Sequence, residues 1–266
     1  MREFPQLTDV EFDILATIVS FGGYVTVPIL SRYTNNTQAR SREVLTNLEE
    51  LKYLRSYPNL THGKRAKIYQ VTIRACKLLE RGDSYMRKPH QVSYIDRSLL
   101  RAHFLFGIVG QGYDRKHIVD TLKKRLDFLS ILGIPSTYFP RKYNGNSYEL
   151  QVEEYLLTDR PWADDQSIAF LYVDKRHSEP SLQLKTLLNR YARFADLNFS
   201  LIVNFVIVVP YEQRMVRYVN AVERLRESNP SLFERKEITF VNSDCLEETC
   251  YHSGVSASEK ICGDGL

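Results

Sequence analysis

The chain has 266 residues, 43% of them hydrophobic and 26% charged, and a formal net charge of +4. That composition is globular, and the length has room for two domains. The longest apolar run, LIVNFVIVV, is too short to cross a bilayer and is broken by Asn204, so it predicts a buried strand. The start, MREFPQLTDVEF, has no signal-peptide core, which points to the cytoplasm.

The charge is uneven. Residues 1–97 hold 15 Lys or Arg against 10 Asp or Glu, and the remainder holds 21 against 22. The excess positive charge therefore lies in the first part, which fits a polyanionic partner, because phosphate neutralisation dominates nucleic-acid affinity. Of the four cysteines, Cys76 lies in an apolar helical stretch and reads as core filler. Cys245, Cys250 and Cys262 lie near the end with His252, and their spacing matches no paired-cysteine zinc pattern.

In chain order, LTDVEFDILATIVSFG sets Leu7, Val10, Phe12, Ile14, Leu15, Ile18 and Val19 largely along one helical stripe. Thr8 is its expected cap, and Gly22 and Gly23 end it. VTVPILSRY follows as a short helix. Asn35, Asn36 and Thr37 are then candidate caps for the next helix, QARSREVLTNLEEL. That helix repeats Val44, Leu45, Leu48, Leu51 and Leu54 at apolar spacing and offers Gln38, Arg40, Ser41, Arg42 and Asn47 to phosphates and base edges. YLRSY and KIYQVT read as two strands, joined by NLTHGKRA, where Gly63 allows the reversal and His62, Lys64, Arg65 and Lys67 make the tip cationic. Helix, short helix, polar helix and basic hairpin is the order of a winged helix-turn-helix, with one helix in the major groove and the wing on the backbone. Double-stranded DNA is the expected partner.

IRACKLLERG predicts a last short helix of this domain, residues 1–88. DSYMRKPHQVSYIDR reads as a connector, with the boundary near Pro89. Residues 89–242 begin with the helices SLLRAHFLFGIVGQG and KHIVDTLKKRLDFLSILG. The strand-like segments PSTYFP, SYELQVEEYLL and SIAFLYVD come next. SLQLKTLLNRYARFADL is helical, FSLIVNFVIVVP a buried strand, YEQRMVRYVNAVERLRES helical, and EITFVN a final strand. This alternation predicts a mixed sheet with helices on its faces, an α/β (α+β) arrangement, followed by a loose tail over residues 243–266.

Two acidic clusters fall near strand ends: TDRP at 158–161, followed by Asp164 and Asp165, and FLYVDKRH at 170–177. With SLLRAHFLF, LLTDRPW and AFLYVDKRHSEPSLQLKTLLNRYARF, they make the chain resemble the replication-relaxation proteins and C-type plasmid mobilisation relaxases over roughly residues 8–210. That family joins a winged helix to a restriction-endonuclease-like domain. The resemblance implies strand nicking at a transfer origin in plasmid or mobile-element DNA, with other relaxosome proteins as partners and Mg²⁺ or Mn²⁺ as cofactor. Asp159 and Asp174 would be the metal ligands, and Glu153 a further candidate, the ion activating water and steadying the leaving oxygen.

The chain departs from the family pattern, which sets an acid and a lysine two residues apart on one strand. Asp174 and Lys175 are neighbours and point to opposite faces. Arg176 replaces the lysine, or a turn brings Lys175 round, or Lys185 reaches in from the next helix, or the site is dead. Glu153 and Glu154 cannot both face a site on one strand. His103 and Tyr191 read as half-buried structural residues. No glycine-rich phosphate loop and no GxSxG elbow occurs. Two functions remain in competition: a metal-dependent nicking enzyme, or a non-enzymatic regulator or relaxosome accessory protein. In the second, the domain would mediate partner binding or homodimerisation, with Phe104, Phe106 and Tyr113 as surface contributors.

Overall fold

The computed structural model describes residues 7–58, 67–81, 91–143, 145, 147–150, 152–164, 167–175, 178–196, 202–243 and 252–253. Two compact units divide the chain, Met1–Tyr113 and Asp114–Leu266.

In the first unit, helix α1 (Asp9–Ser20) starts at a capping box. Thr8 Oγ1 accepts from the amide of Glu11, whose carboxylate accepts from the amide of Thr8. Gly22 and Gly23 end it at φ of 112° and 78°, a backbone region that costs glycine little. Strand β1 (Tyr24–Val25) leads to α2 (Val27–Thr34), with Pro28 in its first turn, where the missing N–H has no helical partner to lose. Asn35 leaves α2 in the left-handed region, and Thr37 Oγ1 caps α3 (Gln38–Glu50) by accepting from Arg40 N. Strands β2 (Leu54–Pro58) and β3 (Lys67–Val71) pair antiparallel, Leu54 opposite Val71 and Pro58 opposite Lys67. Strand β1 adds to the far edge of β3, giving the sheet order β1-β3-β2. The first unit is thus a winged helix-turn-helix, closed by α4 (Ile73–Leu78).

Helix α5 (Val92–Gly110) belongs to this unit, which corrects the expectation that it opens the second domain. It absorbs the last residues of the expected connector; Pro89 itself lies outside the described residues. Its Phe106 ring stands edge-on to Phe21 at 5.0 Å and to Tyr33 at 5.1 Å. Gly110 lets the helix approach α2, since a Cβ there would lie 3.1 Å from the carbonyl oxygen of Arg32. Phe104 and Phe106 are fully buried, so neither contributes a surface.

The second unit is built on a six-stranded sheet. The stretch expected as one helix over 116–133 divides into a 3-10 turn at Arg115–His117, strand β4 (Ile118–Val119) and helix α6 (Leu122–Ile131). The expected strand PSTYFP holds a 3-10 turn. A hairpin of β5 (Arg141–Tyr143) and β6 (Tyr148–Leu150) follows, so the long expected strand breaks into β6 and β7 (Tyr155–Leu157). Then come β8 (Ser167–Val173), α7 (Pro180–Arg190), β9 (Ile202–Val209), α8 (Glu212–Ser228), β10 (Lys236–Asn242) and the short β11 (His252–Ser253).

The sheet order is β11-β10-β9-β8-β7-β4. Strands β8, β9 and β10 are parallel, and β7 runs antiparallel to β8 and to β4. Because the parallel strands advance across the sheet in one direction, right-handed crossovers place α7 and α8 on one face. Their Leu184, Leu187, Leu188, Tyr218 and Ala221 pack there against Ile168, Phe170, Phe205, Ile207 and Phe240. β8 and β9 are near-continuous apolar runs, as parallel strands buried on both faces require. Asn204 is tolerated because both ends of its amide are used: Nδ2 donates to Trp162 O, and Oδ1 accepts from Thr239 Oγ1.

Among the described residues no helix is long and apolar enough to cross a membrane. Cys76 is buried, while Cys245, Cys250 and Cys262 lie outside the described residues, as does most of the expected tail.

Candidate nucleic-acid interface

Helix α3 buries Ser41, Val44, Leu45 and Leu48 on one side. At about 100° per residue, its opposite crest carries Ala39, Glu43, Thr46 and Glu50. Gln38 and Arg42 flank the crest on one side and Arg40 on the other, all three exposed. These three members of the expected set are the ones exposed on this side of the helix.

The other members of that set are placed differently. Ser41 is 2% exposed and turned into the core, so it cannot reach a base edge. The Asn47 side chain donates to Glu11 Oε1, fastening α3 to the start of α1. Burial raises the Glu11 pKa, but hydrogen bonds from Thr8 and Asn47 outweigh it and hold the carboxyl below its usual range. Lys67 leans on Glu49, Nζ to Oε2 at 3.7 Å, and Glu49 also accepts from the amide and hydroxyl of Ser56. His62, Lys64 and Arg65 lie outside the described residues. The sequence reading missed Ala39, Glu43 and Thr46, which projection of the helix opposite Val44, Leu45 and Leu48 identifies.

α2 is held to α5 by a polar contact. The Arg32 guanidinium donates to His103 Nε2, so that nitrogen carries the lone pair and the ring is neutral. Burial first, and the Arg32 charge second, press the His103 pKa down to about 4.

The acids of the second unit do not form the expected metal centre. Asp159 follows β7 where Leu157 faces Ala169, toward the start of β8, whereas Asp174 follows the end of β8. Seven residues of strand separate those ends, about 20 Å at ordinary strand rise. Asp159 is exposed beside His117, Oδ2 to Nε2 at 3.4 Å. Asp174 is 1% exposed, and its carboxylate is fully engaged. Oδ2 accepts from Arg214 Nε at 2.9 Å, and Oδ1 from Arg214 Nη2 at 2.9 Å, Tyr218 Oη at 2.8 Å and Gln183 Nε2 at 3.1 Å. Four donors already crowd the carboxylate, three of them on Oδ1, and the Arg214 guanidinium lies side-on across both oxygens where a cation would sit.

Glu153 and Glu154 precede β7, and both are paired to Arg190. Glu154 is buried and also accepts from the Tyr191 hydroxyl. Burial, then the Glu154 charge, push the Tyr191 pKa well up. Asp174 and Glu154 are thus each held by one arginine, which neutralises the charge, and one tyrosine, and these tie α8 and α7 to the sheet. Lys175 is exposed, with its backbone bound by Gln183. Lys185 is exposed about half a turn of helix round from Gln183, facing away from Asp174. Arg176 lies outside the described residues. No group of three or more His, Cys, Asp or Glu able to hold a metal ion occurs among the described residues, and those expected to ligate Mg²⁺ or Mn²⁺ do not fit one.

No family model and no curated protein matches the chain. Among solved structures, a transcriptional regulator from Thermotoga maritima aligns at 24% identity over 47% of this chain and 73% of its own, with a TM-score of 0.27. An organohalide-sensing transcriptional regulator in its 2,4-dichlorophenol-bound form aligns at 16% identity over 50% and 68%, with a TM-score of 0.25. Similarity at those scores carries no argument about this chain.

Proposed function

We propose that the protein binds duplex DNA through its winged helix as a regulator or accessory factor, and that its second domain is non-enzymatic. The observation that carries this reading is the exposed N-terminal half of α3, where Gln38, Arg40 and Arg42 surround a capped helix start. Donor amides and the positive helix end favour phosphate there, while Arg42 supplies mobile charge and Arg40 is paired to Glu43.

The strand order β4-β7-β8-β9, with α7 crossing between the last two, supports reading the second domain as an endonuclease-like fold. Its acids support a structural role, since Asp174 and Glu154 are consumed by Arg214 and Arg190. Metal-dependent nicking would require those pairs to open at a cost of several kcal/mol, because each leaves a buried charge behind.

The test is fluorescence anisotropy of the full chain with labelled duplex DNA over a salt series, with a parallel incubation of supercoiled plasmid with Mn²⁺ or chelator. Affinity that falls steeply with salt, with plasmid left intact in both arms, is the expected result. Salt-independent association counts against DNA binding, and Mn²⁺-dependent nicking by the intact protein counts against the non-enzymatic reading.

A further inference from the structure

The most outward part of α3 carries Glu43 as well as cations. Its side chain is 67% exposed, and its Oε2 accepts from Arg40 Nη1 at 2.7 Å, the Arg40 side chain being 58% exposed. The other guanidinium N–H groups of Arg40 have no hydrogen-bond partner among the described residues. A carboxylate on the crest of a groove-facing helix is repelled by phosphates, guanine O6 and N7, and thymine O4. It is accommodated where it accepts a hydrogen bond from an exocyclic amine.

The geometry points to Arg40 and Glu43 reading one G·C base pair as a unit, an inference that rests on the DNA-binding function proposed above. Across the major groove that pair presents two acceptors, guanine N7 and O6, and then a donor, cytosine N4. Arg40 and Glu43, held side by side, present donors followed by an acceptor, the complementary row. Each also neutralises the other, so the pair adds discrimination while contributing no net phosphate attraction. Arg42, on the flank toward Glu49, supplies attraction that does not depend on sequence.

Ser41 is buried, Asn47 is tethered and exposed Gln38 lies round the helix from the crest, which leaves the crest few other readers. Ala39 has a methyl to offer a thymine, and Thr46 is half-buried. Base preference should therefore concentrate at the position met by Arg40 and Glu43.

The experiment is selection of binding sites from a randomised duplex library by the full-length protein, by Glu43→Gln and by Glu43→Ala, followed by anisotropy titration on the selected duplex. The wild type should enrich a site with an invariant G·C pair and bind about tenfold or more weakly when that pair becomes A·T. Glu43→Gln should move the preference at that one position toward A·T, because an amide pairs with adenine N6 and N7. Glu43→Ala should lose the preference there while holding or gaining affinity for unrelated duplexes. Because Glu43 is exposed, far-ultraviolet circular dichroism should show both variants folded as the wild type is. If the wild type enriches a site and both variants keep its base preference at every position, the pairwise readout is overturned and DNA binding stands. If the wild type enriches nothing and shows no salt-dependent binding, both fall together.

Discussion

Arg214 and Asp174 meet side-on within the second unit, Nε to Oδ2 and Nη2 to Oδ1, both at 2.9 Å. Arg214 also donates to Lys175 O at 3.4 Å, which joins α8 to the chain leaving β8. Burial opposes the Arg214 charge, but the Asp174 carboxylate more than offsets it and raises the guanidinium pKa. Asp174 is therefore a fastening between strand and helix. Asp174→Ala should destabilise the protein by about 3–5 kcal/mol in urea unfolding, because a buried cation loses its partner. Joint replacement, Asp174→Leu with Arg214→Met, should recover part of that loss, the buried Tyr218 hydroxyl losing its acceptor. A single-variant loss below about 1 kcal/mol, the range of a solvated surface pair, would contradict this role.

His103 makes the stability of the first unit sensitive to acid. Its folded pKa is about 4, below the ordinary 6.5, so the unfolded chain binds a proton that the folded chain refuses. Stability should fall as pH drops from 6.5 toward 4, by up to about 3 kcal/mol, and this contribution should be flat above 6.5. His103→Gln should flatten that part of the curve. Chemical denaturation at stepped pH reads it directly, and an unchanged slope in the variant would assign the acid response elsewhere.

Phe106 locates the domain boundary. Because its ring packs on Phe21 and Tyr33, Phe106→Ala should cost about 3–5 kcal/mol. A fragment of residues 1–113 should unfold cooperatively, whereas one ending at residue 88 should lack a cooperative thermal transition by circular dichroism. Cooperative unfolding of the shorter fragment would show that α5 is dispensable.

How much of this was legible in the sequence depends on where each residue finds its partners. Thr8, Gly22 and Gly23 act on their own neighbours, so the first cap and the helix stop were readable in place, and the second cap was narrowed to Asn35, Asn36 or Thr37, of which Thr37 serves. The apolar runs of β8, β9 and β10 were readable for the same reason. β4 was not, because its pairing with Leu156 and Leu157 comes from far along the chain and two residues carry no periodicity. Asp174 was visible as an acid at a strand end, but its meaning lies in Arg214 and Tyr218 on a distant helix. α5 showed an apolar face without showing which unit it would cover. Ser41 is a different case: its angular position beside Val44, Leu45 and Leu48 was available, and its small polar side chain suggested the wrong side.

Arg42 is exposed beside the α3 crest, the position from which a flexible cation meets a phosphate. The most direct measurement of the central claim is the salt dependence of duplex DNA affinity for the wild type and for Arg42→Ala. The wild type should lose affinity linearly in log–log form as salt rises, and the variant should bind more weakly on every sequence with a slope shallower by about one. Equal affinities and equal slopes for the two proteins would contradict a duplex seated on this face of α3.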